Sequence, residues 1–229
     1  MTRRGPKPKG SVKIEWSANF AYAIGLIASD GCLYNDGRHI SITSKDLEQI
    51  ENFKKCLDLP NKIASKHGGG PNYRYYYHLQ IGDRIFYSFL ESIGFMPAKS
   101  KVIGKIILPD EYFFDFLRGS FDGDGTFYSY WDKRWRSRHM FYLEFISASK
   151  NHIVWIREEI YKRLGVSGYV AYDGKHLTLQ LKYAKREALE IIRRMYYNRE
   201  VICLSRKRGK IEKAVAIERK QQKQYLLTK

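Results

Sequence analysis

Cysteine is scarce in this sequence, acid is outnumbered by base, and long apolar runs are missing. The three cysteines, Cys32, Cys56 and Cys203, stand far apart and form no CxxC pair. A disulfide framework or zinc knuckle is therefore not expected, and a reducing, intracellular compartment fits. No apolar stretch approaches the ~20 residues of a membrane span, so no membrane partner is expected. No apolar segment follows Met1–Pro6, so no secretory leader is expected either. The six histidines show no paired HNH arrangement. Against 41 Lys+Arg stand only 24 Asp+Glu, a formal charge of +17 over 229 residues. That excess points to a polyanion partner, most simply nucleic acid.

Apolar residues make up 44% of the chain and aromatics 15%, which excludes wholesale disorder. A chain of this length buries roughly 70–75% of its unfolded surface. The charge is uneven: residues 1–13 hold five bases and no acid, and residues 205–229 carry +7. Basic tails can also serve solubility alone, so composition does not define the function.

The sequence repeats itself with a period near one hundred residues. Ala23-Ile24-Gly25-Leu26-Ile27-Ala28-Ser29-Asp30-Gly31 parallels Leu117-Arg118-Gly119-Ser120-Phe121-Asp122-Gly123-Asp124-Gly125, and the two aspartates are 94 apart. Each nonapeptide precedes an alternating strand, Ile40–Lys45 or Glu144–Lys150, ending in Ser-Lys. Ser44 and Ser149 then serve as N-caps of helices with apolar residues at Leu47, Ile50, Phe53, Leu57 and at Ile153, Ile156, Ile160, Leu164. Polar-aromatic strands follow, Tyr73–Gly82 and Gly168–Lys182, with Leu79-Gln80-Ile81 matching Leu179-Gln180-Leu181. A third helix closes each half (Ile85, Phe89, Ile93; Leu189, Ile192, Tyr196). Pro109 breaks the chain at the joint, and Asp110 can cap the next helix. The fold class is α+β, with two αββαββα repeats.

Gly25 and Ser29 share one helix face, as do Gly119 and Gly123, and small residues there let two backbones approach. Gly31 and Gly125 then suit left-handed helix termini. Asp30 and Asp124 would meet at two helix C-termini, where the dipoles disfavour negative charge by roughly 0.3–1 kcal/mol each. A divalent cation reverses that penalty, and carboxylates with free carbonyls are the hard oxygen ligands that Mg²⁺ prefers. Beside a basic, aromatic surface, such a pair suits metal-assisted phosphodiester hydrolysis. Asp-Gly alone is a common turn; two copies in matched contexts are what point to a site.

Both nonapeptides resemble the LAGLIDADG motif of homing endonucleases, and the resemblance extends over residues 17–208, as in the monomeric, two-repeat branch. It implies two pseudo-symmetric repeats, each with a saddle-shaped antiparallel sheet, packed through two central motif helices. The parts are a basic arm (1–16), repeat one (17–108), repeat two (109–208) and a basic C-terminal helix or tail (209–229). The resemblance implies metal-binding carboxylates at Asp30 and Asp124 and backbone carbonyls from Ser29 and Gly123. Asp122 and Ala28, at the sixth motif position, are not ligands. A basic residue is implied near each aspartate: Lys99, with Lys101 second, and Lys207 or Arg206. A Lys there can orient water or stabilise the pentavalent charge. Ser44 and Ser149 best match a water-organising position where the family often has Gln or Lys.

The implied activity is cleavage of both strands of a long double-stranded DNA site, leaving 3′ overhangs and serving intron mobility. Mg²⁺ is the implied cofactor, with Mn²⁺ able to substitute and Ca²⁺ supporting binding without cleavage. The protein would act as a monomer. Its wet sheet face would read the major groove through Arg38, Ser41, Thr43, Arg74, Tyr76, Gln80, Arg134, Arg136, Arg138, Lys175, Thr178, Gln180 and Lys182. The arm residues Arg3, Arg4, Lys7 and Lys9 would add salt-dependent backbone binding. The rival readings are an RNA maturase binding intron RNA and a DNA-binding regulator without cleavage. Pro109-Asp110 with Asp173-Gly174-Lys175 mimics a PD…DxK nuclease, but the gap is too long. Met1 and the lack of a terminal His-Asn suit a free-standing protein rather than an intein.

Overall fold

The computed structural model describes residues 10–67, 75–134 and 138–227. The first repeat runs α1 (Ala18–Asp30), β1 (Gly31–Leu33), β2 (His39–Ser44), α2 (Leu47–Cys56), β3 (Ala64–His67), β4 (Tyr75–Gly82) and α3 (Arg84–Ser92). The second runs α4 (Phe113–Gly123), β5 (Thr126–Trp131), β6 (His139–Ser147), α5 (Lys150–Leu164), β7 (Tyr169–Asp173), β8 (Thr178–Ala184) and α6 (Lys185–Met195), and α7 (Ser205–Leu227) follows. The αββαββα order thus occurs twice, and each half holds an antiparallel four-stranded sheet, ordered β1-β2-β4-β3 and β5-β6-β8-β7. No described helix is long and apolar enough to cross a membrane.

Helix α1 starts where Ser17 Oγ accepts the Phe20 N–H at 3.1 Å. It is buried on every side from Phe20 to Ala28, as a helix sandwiched between sheets and a second helix must be. That second helix is α4. A Cβ on Gly25 would lie 2.1 Å from the Phe116 carbonyl, and one on Gly119 would lie 2.1 Å from the Tyr22 carbonyl. The two helices therefore touch backbone to backbone, as the small-residue spacing predicts. Asp122 adds a bond across the same seam, accepting from Tyr22 Oη at 2.8 Å.

Several sequence expectations need correction. Gly31 is extended (φ −79°, ψ 151°), and Gly125 is not among the positive-φ residues. Glycine is required there by crowding instead: a Cβ would lie 2.7 Å from Ile27 Cα and 2.4 Å from Phe121 Cδ2, respectively. Ser44 ends β2 rather than capping α2, whose N-cap is Asp46. Ser149 does precede α5, but its hydroxyl donates to Ile103 O at 2.5 Å instead of capping. Leu47 is exposed while Ile50, Phe53 and Leu57 are buried. In α3 the apolar face falls on Phe86 and Leu90, and Ile85 is exposed against Gly10. Asp110 opens a 3-10 turn, Asp110–Tyr112, and pairs with Arg163 rather than capping α4.

The repeats are also offset differently from the sequence match. Ser41 pairs with Gln80, whereas Glu144 pairs with Lys182. With Cys32 opposite Ser41 and Thr126 opposite Glu144, Gln80 corresponds to Lys182, not to Gln180. Ser44 likewise corresponds to Ser147, and Asp46 to Ser149. A slip of two leaves every side chain on its own face, so the alternating pattern cannot reveal it.

Candidate nuclease centre and nucleic-acid interface

The C-terminal ends of α1 and α4 carry the two aspartates. A Cβ on Gly123 would fall 1.9 Å from Ser29 Oγ and 2.7 Å from Asp30 Oδ2, so Asp30 lies directly against the facing helix. Its Oδ2 accepts from Gln49 Nε2 at 2.5 Å. Burial, then the neighbouring Asp124 charge, raises the Asp30 carboxyl to about 6. Asp124 is exposed, yet the surrounding protein still raises its carboxyl above the usual range, against Lys99 and Lys207.

Two buried lysines serve the two helix ends in matching ways. Lys99 Nζ donates to Ala28 O at 2.8 Å and Ser29 O at 3.2 Å. Lys207 Nζ donates to Phe121 O (2.5 Å), Asp122 O (2.8 Å), Gly123 O (3.3 Å) and Gly125 O (2.6 Å). Each ammonium thus satisfies carbonyls that a helix C-terminus leaves unpaired, with favourable dipole alignment. Burial lowers both, Lys207 to about 8. Lys99 sits in a 3-10 turn just after Ala98, whose left-handed φ of 53° bends the chain inward. Lys101 is exposed, and Arg206 is drawn away by Asp46 at 2.6 Å. Of the alternatives the sequence leaves open, the geometry gathers Lys99 and Lys207.

The surroundings of Asp30 and Asp124 suit a hard cation. Two carboxylates are held close with raised pKa, and the Ser29 and Gly123 carbonyls stand at the same helix ends, each with a second lone pair beyond its lysine bond. Among the described residues no group of three or more His, Cys, Asp or Glu is placed to hold a metal ion. Carboxylate plus carbonyl oxygen is thus the available donor set. Ser44 Oγ donates to Gln49 Oε1 at 3.0 Å and so sits behind Gln49, while Ser149 is buried against Ile103. Neither has the water-organising position expected of it. Gln49 has the more direct contact, and the sequence reading missed it. Its signal was legible: a polar residue four before Phe53, on an apolar helix stripe. The register equivalent in repeat two is His152, whose Nδ1 meets Gly104 O at 2.8 Å instead.

The remaining expected contacts that the structure describes divide between strands and the loops that join them: Arg38, Arg134, Arg138 and Lys175 stand in hairpin loops, the others on strands. Arg38, Gln80, Arg134, Arg138 and Lys175 are exposed, and Tyr76, Thr178 and Gln180 are half-buried. Arg134 pairs with Asp132, and Lys45 stands 5.7 Å over the Tyr76 ring. Ser41 is only 5% exposed, covered by its strand neighbours, and is corrected from a direct contact to a buried one. Thr43 is tied to His78 at 2.8 Å, and Lys182 to the buried Glu144 at 3.0 Å. Arg74, Arg136 and the arm residues Arg3, Arg4, Lys7 and Lys9 lie outside the described residues. Tyr142 stacks on Tyr128 (5.4 Å) and Tyr130 (6.5 Å) in the second sheet, whereas Tyr75 and Tyr77 of the first meet edge-on at 5.7 Å.

Paired motif helices, twin sheets and paired aspartates define the two-repeat LAGLIDADG fold. Residues 17–94, essentially the first repeat, match the family model described as LAGLIDADG-like domain. No curated protein sequence matches the chain. Among solved structures, it is similar to the homing endonuclease I-WcaI bound to its DNA recognition sequence (14% identity, TM-score 0.60, covering 85% of this chain and 88% of that one). It is similar to I-DmoI in complex with DNA and Mn (18% identity, TM-score 0.51, 79% and 97%). It is also similar to the N-terminal LAGLIDADG domain of DUF199/WhiA (16% identity, TM-score 0.53, 81% and 85%).

Proposed function

We propose that the protein is a site-specific endonuclease that hydrolyses both strands of a long double-stranded DNA target, leaves 3′ overhangs and serves intron mobility. The observation that carries this reading is the convergence of Asp30 and Asp124 at one helix seam, each beside a buried lysine. Asp30, Asp124 and the carbonyls of Ser29 and Gly123 would hold the metal. Bound Mg²⁺, or Mn²⁺ in its place, supplies Lewis acidity and an ionised water at neutral pH. Gln49 orients the Asp30 carboxylate by its 2.5 Å bond. Lys99 and Lys207 keep positive charge beside the phosphate, where negative charge grows in the transition state. The exposed Arg38, Gln80, Arg138 and Lys175 follow the groove, and a single chain supplies both halves.

The test is cleavage of a randomised duplex library with Mg²⁺, set against EDTA and the Asp30→Asn/Asp124→Asn double variant. One long site with 3′-overhanging ends, absent from both controls, is expected. Either single variant should abolish double-strand cutting while affinity in Ca²⁺ survives. Loss of folding in both would make the aspartates structural.

A second reading has its own observation: both lysines are already engaged by backbone carbonyls, as purely structural helix caps would be. On that reading the protein binds DNA as a regulator, or intron RNA as a maturase, without cutting. Specific retention of either nucleic acid with no cleavage would favour it.

A further inference from the structure

Each half of the molecule grips the segment that carries the other half's lysine. Helix α2 of repeat one holds residues 203–206 of repeat two. Asn52 Nδ2 donates to Cys203 O at 3.0 Å. The Glu48 carboxylate accepts from Ser205 N at 3.0 Å and from Ser205 Oγ at 2.8 Å. Arg206 Nε donates to Asp46 Oδ2 at 2.6 Å. Ser205 is the first residue of α7, so Glu48 acts as an N-terminal anion for that helix from the opposite repeat. Lys207 lies two residues further on, in the same turn. The fourth fixed point comes from the motif itself, where Asp122 Oδ2 accepts from Leu204 N at 2.7 Å.

The other half repeats the plan with different chemistry. Helix α5 grips the segment after Lys99 through Ser149 Oγ on Ile103 O (2.5 Å) and His152 Nδ1 on Gly104 O (2.8 Å). Those bonds are uncharged, the first buried and the second partly so. The α2 bonds are charged and open to solvent at Ser205 and Arg206. Helix α2 also carries Gln49, bonded to Asp30. One helix therefore reaches both Asp30 of its own repeat and the lysine segment of the other.

We infer that α2 ties Asp30 and Lys207 into one cutting centre across the repeats, with Glu48 and Asp46 as positioning residues for Lys207. The segment that carries Lys99 is held separately, by α5. This rests on the endonuclease reading. It predicts strand selectivity, because a disturbed α2 clamp misplaces one lysine and leaves the other alone.

The experiment measures single-turnover cleavage of each end-labelled strand of the duplex recovered from the library, with Mg²⁺ and the full chain. Lys207→Met first identifies the strand that depends on that lysine. Glu48→Ala, alone and with Asp46→Asn, should slow that same strand by about tenfold, the scale of a lost positioning contact, and the other strand less than twofold. The product then accumulates as nicked duplex. Glu48→Gln keeps an acceptor for Ser205 and should restore most of the rate. Thermal midpoints and Ca²⁺-supported affinity are read alongside and should stay close to the parent. Equal slowing of both strands, slowing of the opposite strand, or no slowing would overturn the clamp and leave the endonuclease reading standing. Absence of cutting by the parent protein would overturn that reading and the clamp with it.

Discussion

Gln49 Nε2 donates to Asp30 Oδ2 at 2.5 Å, while among the described residues no side-chain amide reaches Asp124. The two aspartates occupy equivalent motif positions but not equivalent surroundings. Gln49→Leu removes the donor and leaves Asp30 more costly to ionise. Divalent-ion affinity and cutting of one strand should each fall about tenfold. Titration calorimetry with Mn²⁺, read beside strand-resolved cleavage, checks this. Unchanged ion affinity would show that the bond merely packs α2.

Replacing the half-buried Asp30 carboxylate should stabilise the metal-free protein. Asp30 titrates at about 6 in the fold against an ordinary value of 3.8, so at pH 7.5 its charge opposes folding. Asp30→Asn keeps an acceptor for Gln49 and removes that charge. After discounting for partial exposure, a gain of roughly 1–2 kcal/mol is expected. Urea unfolding in EDTA measures it. Adding Mg²⁺ should stabilise the parent, by mass action, and not the variant.

His152 supplies a pH dependence of opposite sign. Burial holds its imidazole at about 4, below the ordinary 6.5, so the fold binds the neutral ring. The stability this contributes is full above pH 6.5 and is lost as pH falls through 4, worth roughly 3 kcal/mol in all. The urea midpoint should drop between pH 7 and pH 4.5, and drop less in His152→Gln. Carboxylates such as Asp122, raised to about 6, shift the other way in both proteins and cancel in the comparison.

Glycine substitutions should separate crowded seam from open surface. A methyl at Gly25 would lie 2.1 Å from a backbone oxygen, so Gly25→Ala must push α1 from α4 and cost about 3 kcal/mol or more. Gly209 lies within α7, a Cβ added there would meet no other part of the protein within 4 Å, and Gly209→Ala should stabilise by about 1 kcal/mol. Thermal midpoints of the two variants should therefore move in opposite directions.

The doubled motif and the αββαββα order were legible because helical spacing and alternation survive in both halves. The backbone seam at Gly25 and Gly119 followed from small residues four apart. Register was not legible: matching Gln80 with Gln180 preserves the face, and only hydrogen-bonded pairing with Ser41 and Glu144 separates it from Lys182. The choice of Lys99 over Lys101 was also hidden, because it depends on the left-handed turn at Ala98. Gln49 could have been found from its place on an apolar stripe. The Glu48–Ser205 anchor could not, since it joins residues 157 apart whose types are ordinary on any surface.

The stacked tyrosines of the second sheet differ from the edge-on Tyr75–Tyr77 pair of the first, where Ser41 and Gln80 stand at the places of Glu144 and Lys182. The backbone is nearly two-fold, but the surface it displays has a left and a right. If both sheets read a duplex, as proposed, one that satisfied the first sheet would present the wrong base edges to the second when the protein turned around. On the endonuclease reading, the protein would land on its site in one direction only, and the sequence that suits it would read differently from its two ends.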